Sequence, residues 1–246
     1  MLYTNKDIWN VSYPILLALL AQNVINVTDT AFLGHVGEVE LGASAMGGLL
    51  YICIFTVAFG FSTGSQIMIG RRNGEGRFRD VGPVMMQGCL FLLVMAAVLF
   101  GLCQWSMPTI VRMLISSDNI YDATCEFLHW RMFGFFFSFV NVMFRALYVG
   151  ITRTKVLTIN AVIMALVNVF LDYALIFGHF GFPEMGLKGA AMASVIAEAA
   201  SFVFGIAYTW LYVDLKKYGL DRWPQWDSAL LSRILSISCF TMVQYF

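Results

Sequence analysis

Charged side chains are scarce in this sequence. Asp, Glu, Lys and Arg make up 12% of its 246 residues, whereas 59% are hydrophobic. That polar share is too small to cover the surface of a soluble globular domain. The apolar stretches reach the roughly 20 residues that a helix needs to cross a bilayer, and they lack the short alternating segments of an outer-membrane barrel. The sequence therefore predicts an all-α, multi-pass membrane protein.

Patterns for metal ligation and disulfide bonding are also lacking. The five cysteines show no CxxC spacing, so neither a disulfide framework nor a zinc site is indicated. The three histidines, His35, His129 and His179, are isolated from one another and show no ligand spacing. We therefore expect neither a metal enzyme nor a bound cofactor. Residues 1–10 also lack the pattern of a removable signal peptide, so the first helix should remain in the mature protein.

The apolar runs predict six helices and the start of a seventh. The predicted ranges are about 8–34, 45–70, 82–108, 122–150, 156–178 and 187–213, and the seventh helix begins near Ser228. That last helix is still running at Phe246, so we expect a longer architecture to continue from it.

The distribution of charge between the helices predicts the orientation. Basic residues cluster in the connections after the second, fourth and sixth predicted helices: Arg71, Arg72, Arg77, Arg79, Arg153, Lys155, Lys216, Lys217 and Arg222. The connections on the other side are mainly acidic: Glu38, Glu40, Asp118, Asp122 and Glu184. Because basic loops stay in the cytoplasm, we expect a cytoplasmic N-terminus.

The arginine-rich run RRNGEGRFRD has a second interpretation as a binding loop. Its glycines match neither GxGxxG nor the P-loop pattern, and it has no aromatic interleaving beyond Phe78. We therefore interpret the run as a topology signal and expect no nucleic-acid partner.

An amide and a carboxylate stand out within the fifth predicted helix. Asn168 and Asp172 are four residues apart in the apolar run AVIMALVNVFLDYALIF. A charge inside a membrane helix is costly, so it is paired, faces water or serves a function. Asp29 in the first helix and Ser194 in the sixth lie at the same depth, about 8–11 Å from the outer interface. No Lys or Arg shares that level on these three helices, so the sequence predicts a functional site there.

Further polar residues extend the predicted site. Gln22 and Asn26 share a face with Asp29, and Glu198 lies four residues after Ser194, nearer the midplane. Gln22 and Asn26 have an alternative role as interhelical hydrogen-bonding groups, and Glu198 either supports the site or lines a substrate path. Two carboxylates in a low-dielectric pocket resist ionising together, so the site is expected to hold H⁺ or Na⁺.

Four stretches, in this order, identify a family. They are Pro14 followed by NVTDTAFLG, then GFSTGSQIMIGRRNGEG, NVFLDYALIFG and GLKGAAMAS, and they fall within residues 8–213. With these motifs the sequence resembles the N-terminal lobe of multidrug and toxic compound extrusion (MATE) transporters, most closely their DinF-like branch.

The resemblance implies an architecture and a site. Each lobe of such a transporter is a six-helix transmembrane bundle, and two lobes form a V that alternates between outward-facing and inward-facing states. By position, the cation site falls on Asp29, Asn168, Asp172 and Ser194, and Pro14 falls where the first helix bends in some members. The chain then divides into a lobe (1–213), a cytoplasmic loop (214–227) and the beginning of a truncated second lobe (228–246).

The resemblance also implies a function. We expect an H⁺- or Na⁺-coupled antiporter that exports amphipathic organic cations across the bacterial cytoplasmic (inner) membrane, here as its N-terminal half without the C-terminal lobe. The alternatives are a lipid-linked oligosaccharide flippase of the same superfamily, whose cavity would favour basic residues, and a fragment that does not transport. An intramembrane aspartyl protease would need YD and GxGD motifs, whereas this chain has TD at Asp29 and LDY at Asp172.

Overall fold

The computed structural model describes residues 5–221 and 226–245, and all regular structure in these ranges is helical. The α-helices are α1 (Asn5–Val36), α2 (Glu38–Gly74), α3 (Val81–Leu114), α4 (Asp118–Arg131), α5 (Phe135–Gly150), α6 (Lys155–Ile176), α7 (Gly186–Tyr212), α8 (Leu215–Tyr218) and α9 (Ser228–Tyr245). Within the described ranges, six helical segments are long and apolar enough to cross a membrane, α4 and α5 counting as one. The prediction of an all-α bundle with six spans and a further helix is confirmed.

Several predicted helix ends are wrong. α2 begins at Glu38 rather than near 45, so Glu38 and Glu40 lie in its first turn, where carboxylates stabilise the N-terminal end of a helix. α3 continues through Pro108 to Leu114, beyond the predicted end at 108. The predicted loop 214–227 contains the short helix α8, and its residues 222–225, with Arg222, lie outside the described residues.

The fourth predicted helix is interrupted in the middle. A 3₁₀ turn, Met132–Gly134, separates α4 from α5. A Cβ atom on Gly134 would lie 2.3 Å from Glu198 Oε2 and 2.4 Å from Arg131 Nη1. Glycine is therefore the residue that lets α7 and the end of α4 approach this turn.

Two groups of helices make up the bundle. α2 packs against α4, α5 and α9, and α6 packs against both α1 and α7. The core of the first group is aromatic, with Phe61, Phe135 and Phe139 fully buried. In the second group, a Cβ on Gly189 would lie 2.7 Å from the Leu175 carbonyl oxygen, so this glycine allows close contact between α7 and α6.

Candidate cation site

The acidic and amide residues of α1 and α6 come together in one cluster. Asn168 and Asp172 are one helical turn apart on α6 and are 1% and 0% exposed, and Asp29 of α1 is half-buried. With its amide nitrogen oriented toward the carboxylates, Asn168 donates to Asp29 Oδ1 at 3.1 Å and to Asp172 Oδ2 at 3.2 Å. One amide therefore bridges carboxylates from two helices.

The packing of α1 on α6 produces this geometry. The two helices contact each other along much of their length, and Thr158 Oγ1 of α6 donates to the Pro14 carbonyl oxygen of α1 at 2.8 Å. Both helices then run about four turns before they reach the acid cluster. α1 is a single helix through Pro14, so the bend at Pro14 stays a prediction.

The cluster of Asp29, Asn168 and Asp172 has more hydrogen-bond acceptors than donors. Asp172 Oδ1 is buried and has no hydrogen-bond partner among the described residues. The carboxyls of Asp29 and Asp172 accept from the same amide nitrogen. Ionised carboxylates only accept hydrogen bonds, so a direct bond between the two carboxyls would require a proton on one of them. A small cation between the oxygens would satisfy the same acceptors.

The other predicted site residues make no hydrogen bond to these three among the described residues. Ser194 of α7 is half-buried and, within residues 5–221, makes no hydrogen bond to Asp29, Asn168 or Asp172. Gln22 and Asn26 are exposed on α1, and the Asn26 carbonyl oxygen accepts from Thr30 Oγ1 at 2.8 Å within the same helix. Hydrogen bonds join three of the predicted ligands, and the place of Ser194 at the site, like the roles of Gln22 and Asn26, stays a prediction.

Glu198 belongs to a second cluster. Its Oε1 lies 2.6 Å from Arg131 Nη2 of α4, and it accepts from the Tyr51 hydroxyl of α2 at 3.2 Å. The Arg131 guanidinium lies over the Tyr51 ring at 3.8 Å from the centroid. In the sequence, depth was compared only for the first, fifth and sixth predicted helices. Arg131, which lies on α4, was therefore missed. Its position 13 residues into the apolar segment that begins at Asp118 would have revealed it, since that depth matches Glu198.

A bundle of apolar helices that holds one buried and one half-buried carboxylate defines a polytopic helical membrane protein with an internal ionisable site. The MatE family profile matches residues 14–174, which is more than half of the chain. The chain belongs to the MatE family, and it corresponds to the N-terminal lobe of a MATE transporter.

Relatives and solved structures agree with this assignment. The chain is 30% identical over 221 residues to the probable multidrug resistance protein NorM of Agrobacterium fabrum, covering 87% of this chain and 47% of that protein. It is 24% identical to the multidrug resistance protein PmpM of Pseudomonas aeruginosa, covering 94% and 49%.

The fold matches a solved structure of a multidrug resistance MATE family transporter in an outward-facing conformation. The TM-score is 0.87 at 19% identity, over 98% of this chain and 52% of that chain. The chain thus spans about half the length of the relatives it matches, and the family resemblance is confirmed. Membership of the DinF-like branch stays a prediction.

Proposed function

We propose that this chain is the cation-coupling lobe of an antiporter that exchanges H⁺ or Na⁺ for amphipathic organic cations. The observation that carries the proposal is the bridge of Asn168 between Asp29 and Asp172, with one buried carboxylate oxygen left without a partner. Such a cluster is costly in a membrane unless a proton or cation occupies it.

The exchange of the coupling ion for an organic cation follows from the charge of the two carboxylates. One bound H⁺ or Na⁺ halves the negative charge of the two carboxylates, and an empty cluster carries the full charge at a depth that bulk water does not screen well. An organic cation near the site is therefore favoured when the coupling ion has left, and disfavoured when it returns. Phe32 and Phe177, 5.5 Å apart between ring centroids, and Tyr173 lie beside the cluster and supply aromatic faces, which attract organic cations.

The proposal includes a location and a partner. We propose a cytoplasmic N-terminus and a location in the bacterial cytoplasmic membrane, which the basic connections support. A C-terminal lobe would complete the transport path, since the matched relatives are about twice as long as this chain.

Ion-coupled efflux tests the proposal directly. Proteoliposomes that contain this lobe completed by a C-terminal lobe, with a fluorescent organic cation inside, are exposed to a Na⁺ gradient or to a pH gradient, which separates the two coupling ions. Asp29→Asn and Asp172→Asn should each reduce coupled efflux to background, because each removes a charge that the ion balances. Asp118→Asn, an exposed acid at the start of α4, is the control and should keep the wild-type rate.

Circular dichroism verifies that each variant is folded. Wild-type efflux from either site variant would show that the cluster is not the coupling site. A wild-type protein without gradient-dependent efflux would contradict the antiporter proposal.

A further inference from the structure

We propose that one end of the lobe binds an anionic phospholipid through the turn between α2 and α3 together with α8. The residues that would hold the lipid phosphate are Arg79, Lys216 and Lys217, and we call them the basic surface. This proposal goes beyond ion-coupled efflux, and it does not depend on which ion drives the transport or on which compound is exported.

The turn between α2 and α3 packs directly against α8. The Phe78 and Tyr218 rings meet edge to face at 6.0 Å between centroids, and Lys217 Nζ lies 4.3 Å from the centroid of the Phe78 ring. A Cβ on Gly219, whose φ is +67°, would overlap the Arg79 carbonyl oxygen, so this glycine lets the two segments touch. Arg79 and the lysines of α8 therefore belong to one surface.

The two acids of the turn are already paired with arginines of the same segment. Arg71 Nε lies 2.7 Å from Glu75 Oε1, and Arg77 Nη2 lies 2.6 Å from Asp80 Oδ2. Arg79 is exposed and forms no ion pair among the described residues. Its guanidinium is therefore available to an anion from outside the protein.

The acids beside α8 also leave a lysine available. Asp214 caps the helix, and its Oδ1 accepts from the Lys217 backbone N–H at 3.0 Å. Lys216 is exposed and, within residues 5–221, pairs with neither Asp214 nor Asp221. The basic surface thus presents two unpaired cations, Arg79 and Lys216, from two segments of the chain.

The apolar neighbours of the basic surface indicate a lipid rather than a soluble anion. Trp210, Leu211 and Tyr212 form the last turn of α7 and are 73%, 68% and 64% exposed. Trp and Tyr concentrate where a membrane meets water, so these side chains mark the headgroup level at the end of α7. α8 begins three residues later, at Leu215, which is within about 10 Å of that level.

A phospholipid has the two parts that this end of the lobe would contact. Its acyl chains would cover the exposed residues 210–212, and its phosphate would lie between Arg79 and Lys216. Because α8 belongs to the connection between α7 and α9, the bound phosphate would join that connection to the turn between α2 and α3.

Native mass spectrometry of the purified full chain tests this without measuring transport. Phosphatidylglycerol or phosphatidylcholine with the same acyl chains is added, and the bound lipids are counted. The wild type should bind phosphatidylglycerol more tightly. Arg79→Gln and Lys216→Gln should each weaken that binding about fivefold, since one basic residue near anionic lipid contributes about that factor. Binding of phosphatidylcholine should stay unchanged.

Two controls separate charge at this surface from other effects. The double variant Arg79→Lys/Lys216→Arg keeps both charges and should bind phosphatidylglycerol as the wild type does. Arg112→Gln removes a charge at the other end of α3, about 50 Å away along the helix, and should also bind it as the wild type does.

Three results would overturn the proposal. They are equal wild-type binding of both lipids, unchanged phosphatidylglycerol affinity in both glutamine variants, and displacement of phosphatidylglycerol by an equal concentration of inorganic phosphate, which would indicate a site for soluble anions. If a glutamine variant does not fold, the salt dependence of the wild type decides. The preference for phosphatidylglycerol should fall between about 0.1 and 0.5 M salt, and a preference that salt does not change would overturn the proposal.

Discussion

Two polar clusters lie in the same apolar lobe, and they differ in how their charge is balanced. Around Glu198, a guanidinium, a tyrosine hydroxyl and an aromatic stack surround one carboxylate. Around Asp172, two carboxylates share one amide donor. Burial of a charge costs several kcal/mol unless it is paired and hydrogen-bonded, so only the first cluster is stable without a further ligand. The comparison separates a cluster that holds helices together from one that is suited to taking up an ion.

Among the substitutions that test this difference, Gly134→Ala is expected to lower the free energy of unfolding most. The new methyl group would overlap Glu198 Oε2 and Arg131 Nη1, at 2.3 and 2.4 Å. Both atoms end flexible side chains, but the pairing of Arg131 with Glu198 and the Tyr51 hydroxyl restrict their movement, so we expect relief of the overlap to distort the ion pair. We expect a loss of about 3 kcal/mol in the free energy of unfolding.

Thermal unfolding of the purified protein in detergent measures this loss. Gly101→Ala in α3 is the control, since a Cβ there meets no atom within 4 Å and alanine favours a helix by about 0.5–1 kcal/mol. Equal unfolding temperatures for the two variants would mean that the charged cluster tolerates rearrangement.

A smaller loss of stability is expected when the cluster of Asp29, Asn168 and Asp172 loses the Asn168 amide that bridges its carboxylates. Asn168→Leu keeps the branched shape of the side chain and removes both donated hydrogen bonds, which should destabilise the protein by about 2 kcal/mol at neutral pH. The loss should shrink at low pH, because protonated carboxyls can hydrogen-bond with each other, and grow at high pH.

Unfolding at several pH values checks this dependence. Asn23→Leu is the matched control: Asn23 is exposed on α1 and donates only to Leu19 of its own helix at 3.1 Å, so we expect a change below about 0.5 kcal/mol. A pH-independent loss in Asn168→Leu would indicate that the amide does not act on the carboxylates.

The smallest effect is expected at the protein surface. Arg112 and Asp118 have the same 2.6 Å separation as Arg131 and Glu198, but their side chains are 55% and 78% exposed. Water screens such a pair, so Asp118→Asn should change the free energy of unfolding by less than about 1 kcal/mol. Measured beside Glu198→Gln, this variant tests whether burial rather than distance determines the strength of the pair. If Asp118→Asn lowered the free energy of unfolding as much as Glu198→Gln, burial would not determine the strength of the pair.

The acid cluster was accessible from the sequence, whereas for Arg131 and Glu198 the sequence indicates a common depth but not their contact. A spacing of four residues and an apolar surrounding place Asn168 and Asp172 on one face, and depth brings Asp29 to them. The pairing of Arg131 with Glu198 depends on how α4 meets α7 at a helix interruption. That interruption arises from packing around Gly134, and helical periodicity along a single segment carries no signal for it.

The contact between Thr158 and Pro14 gives α1 a second point of attachment to α6. A rod attached at two points about four turns apart cannot rotate about its own axis without straining one attachment. The bending stiffness of α1 is lowest next to the attachment at Pro14, because proline removes a backbone hydrogen bond there. A displacement of α1 at the acid cluster therefore twists the helix. The turn around Pro14 is the part of α1 that deforms most easily.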